Sequence, residues 1–355
     1  MRVLLTGSAG FIGSAIGRQL TDAGHEVVGV DLMLASAHGS TTPPAGVHQL
    51  DVREAASDAW ADLLRGTDVV CHQAALVGAG VKVADLPDYA SHNDVGTTAL
   101  LAAMHEASVD RLVLASSMVV YGEGRYACPD HGRQLPPARP VKAMEAGDFE
   151  NHCPVCGGPL AWQPVPEGAR LDPRSSYAAS KLAQEHYVSS WVRQAGAAAV
   201  ALRYHNAYGP MMPRDTPYSG VAAMFRSSLE RGLAPQVYED GGQMRDFVHV
   251  DDIARANVLA LESVVAEATP HFAAYNVCSG RPVTILDVAT RVAEGTGRDL
   301  APQVTGNFAP ATYAMWWPRP RWRPASWGSP RRSIPTTACE PLRRRRCGTE
   351  PHQVV

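Results

Sequence analysis

The stretch that most constrains the fold is Gly7-x-x-Gly10-x-x-Gly13, which follows the apolar run Arg2 to Thr6 and opens a helix to about Ala23. Residues without Cβ permit the tight turn, let a pyrophosphate approach the backbone, and let the helix pack closely on a strand. A second strand, Glu26 to Val30, ends in Asp31, about 20 residues beyond the glycines. A carboxylate there accepts hydrogen bonds from an adenosine ribose and repels a 2′-phosphate, which favours NAD over NADP.

Further strands are expected near Gly46 to Leu50, before Asp51-Val52, and from Asp68 to Cys71, before His72-Gln73-Ala74-Ala75. Small residues at a strand's carboxyl end let a flat ligand lie against the backbone, whereas Cys71 and His72 read as packing residues. A helix from Asn93 to Ala107 leads to a strand from Arg111 to Ala115, with Ser116-Ser117 at its end. Strands alternating with helices predict an α/β fold, a doubly wound parallel sheet of Rossmann type.

Ser175-Ser176-Tyr177-Ala178-Ala179-Ser180-Lys181 places a phenol and an ammonium four residues apart in a run of helix formers. Both then share one helix face, and a lysine beside a tyrosine is expected to favour the phenolate. Such a tyrosine serves as a base. Ser117, lying upstream at a strand end, is the candidate hydroxyl beside it.

Taken together, Gly7-x-x-Gly10-x-x-Gly13, Asp31, Ser116 to Gly122, Tyr177-x-x-x-Lys181, Arg203 to Pro210 and Gly241 to Asp252 resemble the extended short-chain dehydrogenase/reductases. That is the nucleotide-sugar epimerase and dehydratase family, and the resemblance covers about residues 1–308. It implies a catalytic set of Ser117, Tyr177 and Lys181. It also implies cofactor contacts at Gly7, Gly10, Phe11, Ile12, Gly13, Asp31, Asp51, Val52, Ala74, Ala75, Asn93, Tyr177 and Lys181. Asn206 resembles the family's diphosphate-side asparagine and Arg245 its phosphate-binding arginine, while Tyr218 and the helix to Glu230 would line the sugar pocket. The expected organisation is an NAD-binding domain over 1–203 and a smaller substrate domain over 204–308 with return elements to the first. A homodimer is likewise implied by the resemblance.

In that family a dehydratase carries an Asp-Glu pair directly after the serine or threonine; here Met118 and Val119 stand there and cannot transfer protons. The reading is a nucleotide-sugar 4-epimerase working through a 4-keto intermediate. The insertion described next, with His205, resembles bacterial dTDP-L-rhamnose 4-epimerases. A dTDP-glucose 4,6-dehydratase, a UDP-glucose 4-epimerase and a non-catalytic NAD-binding scaffold are the alternatives.

Between Ser117 and Tyr177 lies a Pro- and Gly-rich insertion over 125–165, which carries Cys128-x-x-His131-Gly132 and Cys153-x-x-Cys156-Gly157. Two such pairs have the spacing of zinc knuckles, and four protein ligands leave no open position, so the metal would be structural. The chain holds seven cysteines. An odd count with no export signal favours free thiols or metal ligands over a disulfide framework, and a cytoplasmic location. An amino-terminal apolar run cut short by Gly7 argues against a membrane span.

Net charge is -3, yet residues 311–355 hold nine arginines and two glutamates, leaving about -10 on the remainder. The body is therefore not a nucleic-acid binder on charge grounds. From about Ala309 the chain becomes rich in Trp, Pro and Arg, without amphipathic period. Read one nucleotide earlier, Pro310 to Pro318 can encode PGDVRHVVA, which resembles the family's usual segment here; a shifted reading frame is the expectation.

Overall fold

The computed structural model describes residues 1–38, 42–80, 82–213, 220–297 and 299–308. Tyr218 and the basic tail from 309 onward, with its reading-frame expectation, lie outside the described residues.

Short β-branched and leucine-rich runs form a seven-stranded sheet. Its strands are β1 (Arg2–Thr6), β2 (Glu26–Asp31), β3 (Val47–Gln49), β4 (Val69–His72), β5 (Arg111–Ser117), β6 (Ala198–Tyr204) and β7 (His271–Val277). All neighbours pair in parallel, in the order β3-β2-β1-β4-β5-β6-β7. The chain thus runs outward one way from β1 and then, from β4, the other way. Such a reversal opens a crevice at the carboxyl ends of β1 and β4, where ligands bind in sheets of this kind.

Alternate residues of each strand enter separate cores, as the period of two requires. Val3 and Leu5 of β1 meet helices α1 (Phe11–Asp22) and α4 (Val250–Val265), while Leu4 meets helices α2 (Gly96–Glu106) and α3 (Ser176–Ala195) on the other side. Both faces are covered, so both are apolar. A smaller cluster of Phe225, Val237, Ile285, Val288 and Ala289 joins the helices Val221–Glu230 and Ile285–Gly295. Among the described residues no helix is long and apolar enough to cross a membrane.

Three local expectations are corrected. The segment expected to start an α-helix at Asn93 is instead a π-turn over Ala90–Val95 that runs into α2, a distortion that occurs frequently at functional sites. Helix α4 is capped by His249, whose Nδ1 accepts from the Asp251 amide at 3.2 Å. Asp251 and Asp252, of the residue type that commonly caps, sit instead in its first turn, where carboxylates still favour the helix dipole. The insertion is not a bare polar loop: strands Arg125–Cys128, Gly132–Gln134 and Ala161–Gln163 form an antiparallel sheet over a core of Tyr126, Cys128, Cys153 and Leu160.

Candidate active site

The glycine turn sits at the crevice. Gly7 adopts φ +67, and a Cβ there would lie 2.7 Å from the Ala74 nitrogen, beyond the end of β4; one on Gly13 would lie 2.0 Å from the Gly7 oxygen. Only glycine fits either position. Helix α1 begins at Phe11 with neither a capping side chain nor an acidic residue in its first turn. Its partial positive charge and free amides, including that of Ile12, are therefore available to an anion. Asp31, at the end of β2, accepts from the Ala9 amide at 3.1 Å and the Met33 amide at 2.9 Å, which puts its carboxylate beside the glycine turn.

The other expected cofactor residues divide into two groups. Ala74 gives the crevice floor its backbone, and its amide donates to Thr6 Oγ1 at 3.1 Å; Ala75 follows it in the same half-buried loop. Asp51 is committed to Arg53, whose Nε lies 2.9 Å from its Oδ2, and the guanidinium holds the carboxyl below its usual range against the opposing effect of burial. Val52 is buried in the core. Asn93 is fully buried: its Oδ1 accepts from the Leu76 amide at 2.7 Å, and its Nδ2 donates to the Leu76 carbonyl and to Ser180 Oγ at 2.8 Å. Its amide ties the loop after β4 to α3.

Helix α3 starts where Ser175 Oγ accepts the Ala178 amide at 3.1 Å and stops at Gly196 in the left-handed region. Tyr177 lies in its first turn and Lys181 one turn on, as the four-residue spacing requires. Ser117, at the end of β5, lies beside the Tyr177 phenol and favours its ionised form, while its Oγ accepts from the Val119 amide at 3.4 Å. The structure thus brings together Ser117, Tyr177 and Lys181, which are distant in sequence, at the carboxyl end of the sheet.

The electrostatics depart from expectation. Desolvation pushes the Tyr177 phenol well above its ordinary range, with the neighbouring Ser117 hydroxyl opposing. Lys181 does not pull it down: its Nζ donates to the Ala115 carbonyl at 3.0 Å and stands 5.9 Å from the Tyr177 ring centroid. Burial instead lowers the Lys181 ammonium to about 7, with Asp94 and Glu185 opposing.

Several residues that hold this constellation were not expected. Glu185 of α3 receives Arg203 of β6 in a bidentate pair, Nε at 2.9 Å and Nη2 at 2.7 Å, and also accepts from Ser116 Oγ. Arg203 Nη1 further donates to Tyr121 Oη at 2.8 Å, and Tyr121 donates to Asn276. The buried imidazole of His72 bridges Thr6 and Thr97, and Gln184 of α3 donates to Thr97 Oγ1 at 2.6 Å. The signal available in sequence was Glu185 four residues beyond Lys181, on the same helix face.

On the substrate side, Asn206 Nδ2 donates to the Asp246 carbonyl at 3.0 Å and lies 3.8 Å from Met118 Sδ. Arg245 is buried; desolvation lowers it to about 10, against Glu123, Tyr126 and Glu239, while Arg139 adds to the lowering. Met118 and Val119 form the turn after Ser117, and neither carries a proton-transfer group.

Cys128, His131, Cys153 and Cys156 converge, their ligand atoms all within 4.8 Å of one another. Cys128 Sγ lies 3.7 Å from Cys156 Sγ and 3.4 Å from His131 Nδ1, close to the edge of about 3.8 Å that a tetrahedron with Zn–S of about 2.3 Å requires. Burial raises the Cys153 thiol, but the amides of Cys156 and Val155 and the neighbouring thiols bring it down to about 7. Thiolate-favouring amides and a closed donor set fit a zinc ion.

A model of the NAD dependent epimerase/dehydratase family matches residues 3–143 and 158–278, which leaves Cys153 and Cys156 outside it. The dTDP-L-rhamnose 4-epimerase of Burkholderia thailandensis is 33% identical over 320 residues, 86% of this chain and 84% of its own. The UDP-glucose 4-epimerase of Thermotoga maritima, solved with UDP-glucose, gives a TM-score of 0.70 at 25% identity over 90% of each chain. That of Thermus thermophilus, solved in complex with NAD, gives 0.62 at 32% identity over 86% of each. On these matches, the chain belongs to the NAD dependent epimerase/dehydratase family.

Proposed function

We propose that this chain is an NAD-dependent nucleotide-sugar 4-epimerase, with dTDP-L-rhamnose as its substrate. The observation that carries the reaction type is the convergence of Ser117 and Tyr177 at the sheet's carboxyl end, with Lys181 one turn away and Met118 and Val119 in place of a dehydratase's acids. The substrate assignment draws on the 33% identical relative and on the Cys/His insertion.

The glycine turn and the amides of Phe11 and Ile12 would hold the pyrophosphate of NAD, Asp31 its adenosine ribose, and Lys181 its nicotinamide ribose. When bound, NAD+ would supply a reversible hydride acceptor for the sugar carbon and a positive charge that favours the phenolate. Tyr177 Oη takes the proton from the 4-hydroxyl as the C4–H bond gives up its hydride, and Ser117 Oγ steadies the oxygen. The product is a 4-keto sugar. Return of the hydride to its other face, with Tyr177 giving back the proton, inverts C4. Asn206 and Arg245 would hold the diphosphate, the guanidinium as a planar fork.

Within this proposal the NAD-binding part spans 1–203, with the insertion at 125–165, and the substrate part most of 204–308. Zinc would close the insertion through Cys128, His131, Cys153 and Cys156. A homodimer is part of the reading, and exposed Val95, just before α2, and Tyr187 of α3 are apolar surface it would cover.

Incubating the protein with dTDP-L-rhamnose, dTDP-glucose and UDP-glucose and following C4 configuration by NMR tests the assignment. Epimerised dTDP-L-rhamnose supports it; a 4-keto-6-deoxy product alone would refute the epimerase. Tyr177→Phe is expected to abolish turnover while NAD stays bound. Metal analysis finding well under one zinc per chain would remove the metal from the proposal.

A further inference from the structure

The side chain of Gln73 closes a ring of hydrogen bonds with two residues far from it in sequence. Asn257 of α4 is fully buried and Tyr204, the last residue of β6, is 7% exposed, while Gln73, the first residue after β4, is half-buried. Asn257 Nδ2 donates to Tyr204 Oη at 2.8 Å, Tyr204 Oη donates to Gln73 Oε1 at 3.0 Å, and Gln73 Nε2 donates to Asn257 Oδ1 at 3.1 Å. The direction of each bond is settled. Asn257 Nδ2 also donates to the Ile253 carbonyl at 2.9 Å, and a carbonyl can only accept, so the amide cannot be reversed. Its oxygen then takes the Gln73 NH2 group, which leaves Gln73 Oε1 to take the phenol proton. Burial raises the Tyr204 phenol, so that proton stays in place.

The main chain of Gln73 has a different partner. Its amide donates to the Thr6 carbonyl at 3.3 Å and to Thr6 Oγ1 at 3.2 Å, and the Ala74 amide shares that Oγ1. Thr6 precedes Gly7, where a Cβ would come within 2.9 Å of the Gln73 carbonyl carbon. The glycine turn and the 73–74 backbone therefore touch without slack, and a shift of Gln73 moves one wall of the crevice against the other. The Thr6 bonds tie the end of β4 to β1; the side-chain ring ties it to β6 and α4. Tyr204 and Asn257 do not depend on Gln73 in return. The phenol also lies 3.0 Å from Asn257 Oδ1, so its proton can turn there if the glutamine is lost.

We infer that Gln73 is a positioning residue of the cofactor crevice: through Tyr204 and Asn257, its side chain fixes the 73–74 backbone against the glycine turn at the spacing a dinucleotide requires. The inference rests on the glycine turn holding NAD, as proposed above. The ring suits this task because each of its members donates to one neighbour and accepts from the other, so no bond can be redirected without breaking a second. Tyr204 also stands opposite Ser117 in the register of β5 and β6. One residue thus adjoins both the cofactor wall and the strand end that carries the candidate catalytic serine.

The test is titration of NAD+ into the full-length protein, followed by fluorescence, with dTDP titrated calorimetrically into the NAD-loaded protein and melting followed by circular dichroism. Gln73→Leu is expected to weaken NAD+ about tenfold, with dTDP affinity and melting temperature close to those of the parent. Tyr204→Phe removes the phenol proton and should weaken NAD+ by a similar factor. The double variant should bind no worse than Gln73→Leu, because both changes act through one ring. Gln73→Leu leaves the buried pair satisfied, which keeps the test decisive if Tyr204→Phe fails to fold. Unchanged NAD+ affinity in Gln73→Leu, equal weakening of NAD+ and dTDP, or a double variant weakened by the product of the two single factors would each overturn the inference. Gly13→Ala separates the two levels. If it binds NAD+ normally, the cofactor assignment falls and takes the inference with it; if it loses NAD+ while Gln73→Leu does not, only the present inference falls.

Discussion

Glu185→Gln probes the joint between the helix bearing Tyr177 and the sheet. Glu185 and Arg203 are 4% and 5% exposed, and the carboxylate receives two guanidinium bonds of 2.9 and 2.7 Å as well as the Ser116 hydroxyl. A glutamine keeps the shape but turns an NH2 group toward one of these donors and removes the charge. Arg203 then stays buried with one amide oxygen, the Tyr121 hydroxyl and the Glu167 carbonyl as acceptors, but with no charged partner. Breaking a buried pair on one side costs about 3–5 kcal/mol. Even 3 kcal/mol should lower the melting temperature by about 4 °C. Urea titration followed by circular dichroism measures it, provided the slope with denaturant is unchanged. Because Ser116 adjoins Ser117, kcat should fall more than KM changes. A loss under about 1 kcal/mol would show that the pair behaves like a surface salt bridge, and the reasoning would fail.

The Lys181 ammonium, lowered to about 7 by burial, loses its proton in the folded chain while the unfolded chain keeps it up to its ordinary value of 10.5. The unfolded state therefore binds more protons over that window, so this group's contribution to stability rises with pH from 7 to 10.5. Lys181→Met should be more stable than the parent at pH 7, on the order of 4 kcal/mol, with the gap closing toward pH 10.5; a gap independent of pH in denaturant titrations would count against it. Gly13→Ala, with its Cβ 2.0 Å from the Gly7 oxygen, should lose NAD binding, whereas Gly17→Ala, nearest Leu5 Cδ2 at 3.5 Å, should bind normally and gain up to about 1 kcal/mol. Equal NAD affinities in the two variants, measured by fluorescence, would remove the packing argument.

The parallel sheet was readable because its strands, covered on both faces, are near-continuous apolar runs ended by glycine or small residues. The positions of Gly7 in a turn, Asp31 and Ser117 at strand ends and Tyr177 and Lys181 on one helix were readable because each depends on local spacing. What stayed hidden depends on distance through space. Arg203 reads as an edge residue of a strand, and nothing in its neighbours names Glu185, eighteen positions earlier, as its partner. The π-turn at Ala90–Val95 shares the apolar period of an ordinary helix. The Tyr177–Lys181 electrostatics were misjudged because spacing gives proximity but not desolvation, and here desolvation decides both groups. The insertion's sheet was missed because its strands are three or four residues long and its core includes the cysteines themselves.

Helix α3 is fastened in two different ways along its length, and this explains how one helix can be both a structural wall and a catalytic platform. Its first half buries Ser180, Lys181, Gln184 and Glu185, which bond respectively to Asn93, the Ala115 carbonyl, Thr97 and Arg203. Its second half buries Val188, Trp191 and Val192 in the apolar core. Hydrogen bonds fix direction as well as distance, whereas apolar contact fixes little beyond proximity. The half that carries Tyr177 is thus positioned by directional bonds, and the other half supplies most of the burial. Val188→Ala should cost roughly 2 kcal/mol of stability through lost burial and the cavity left behind, with kcat nearly unchanged. Ser180→Ala removes one of the two acceptors of Asn93 Nδ2, so it should cost only about 1 kcal/mol, yet lower kcat more than Val188→Ala does. Measuring both variants for stability and turnover separates the two modes of attachment. If turnover simply follows stability in both, the helix is held as a single unit and the division is wrong.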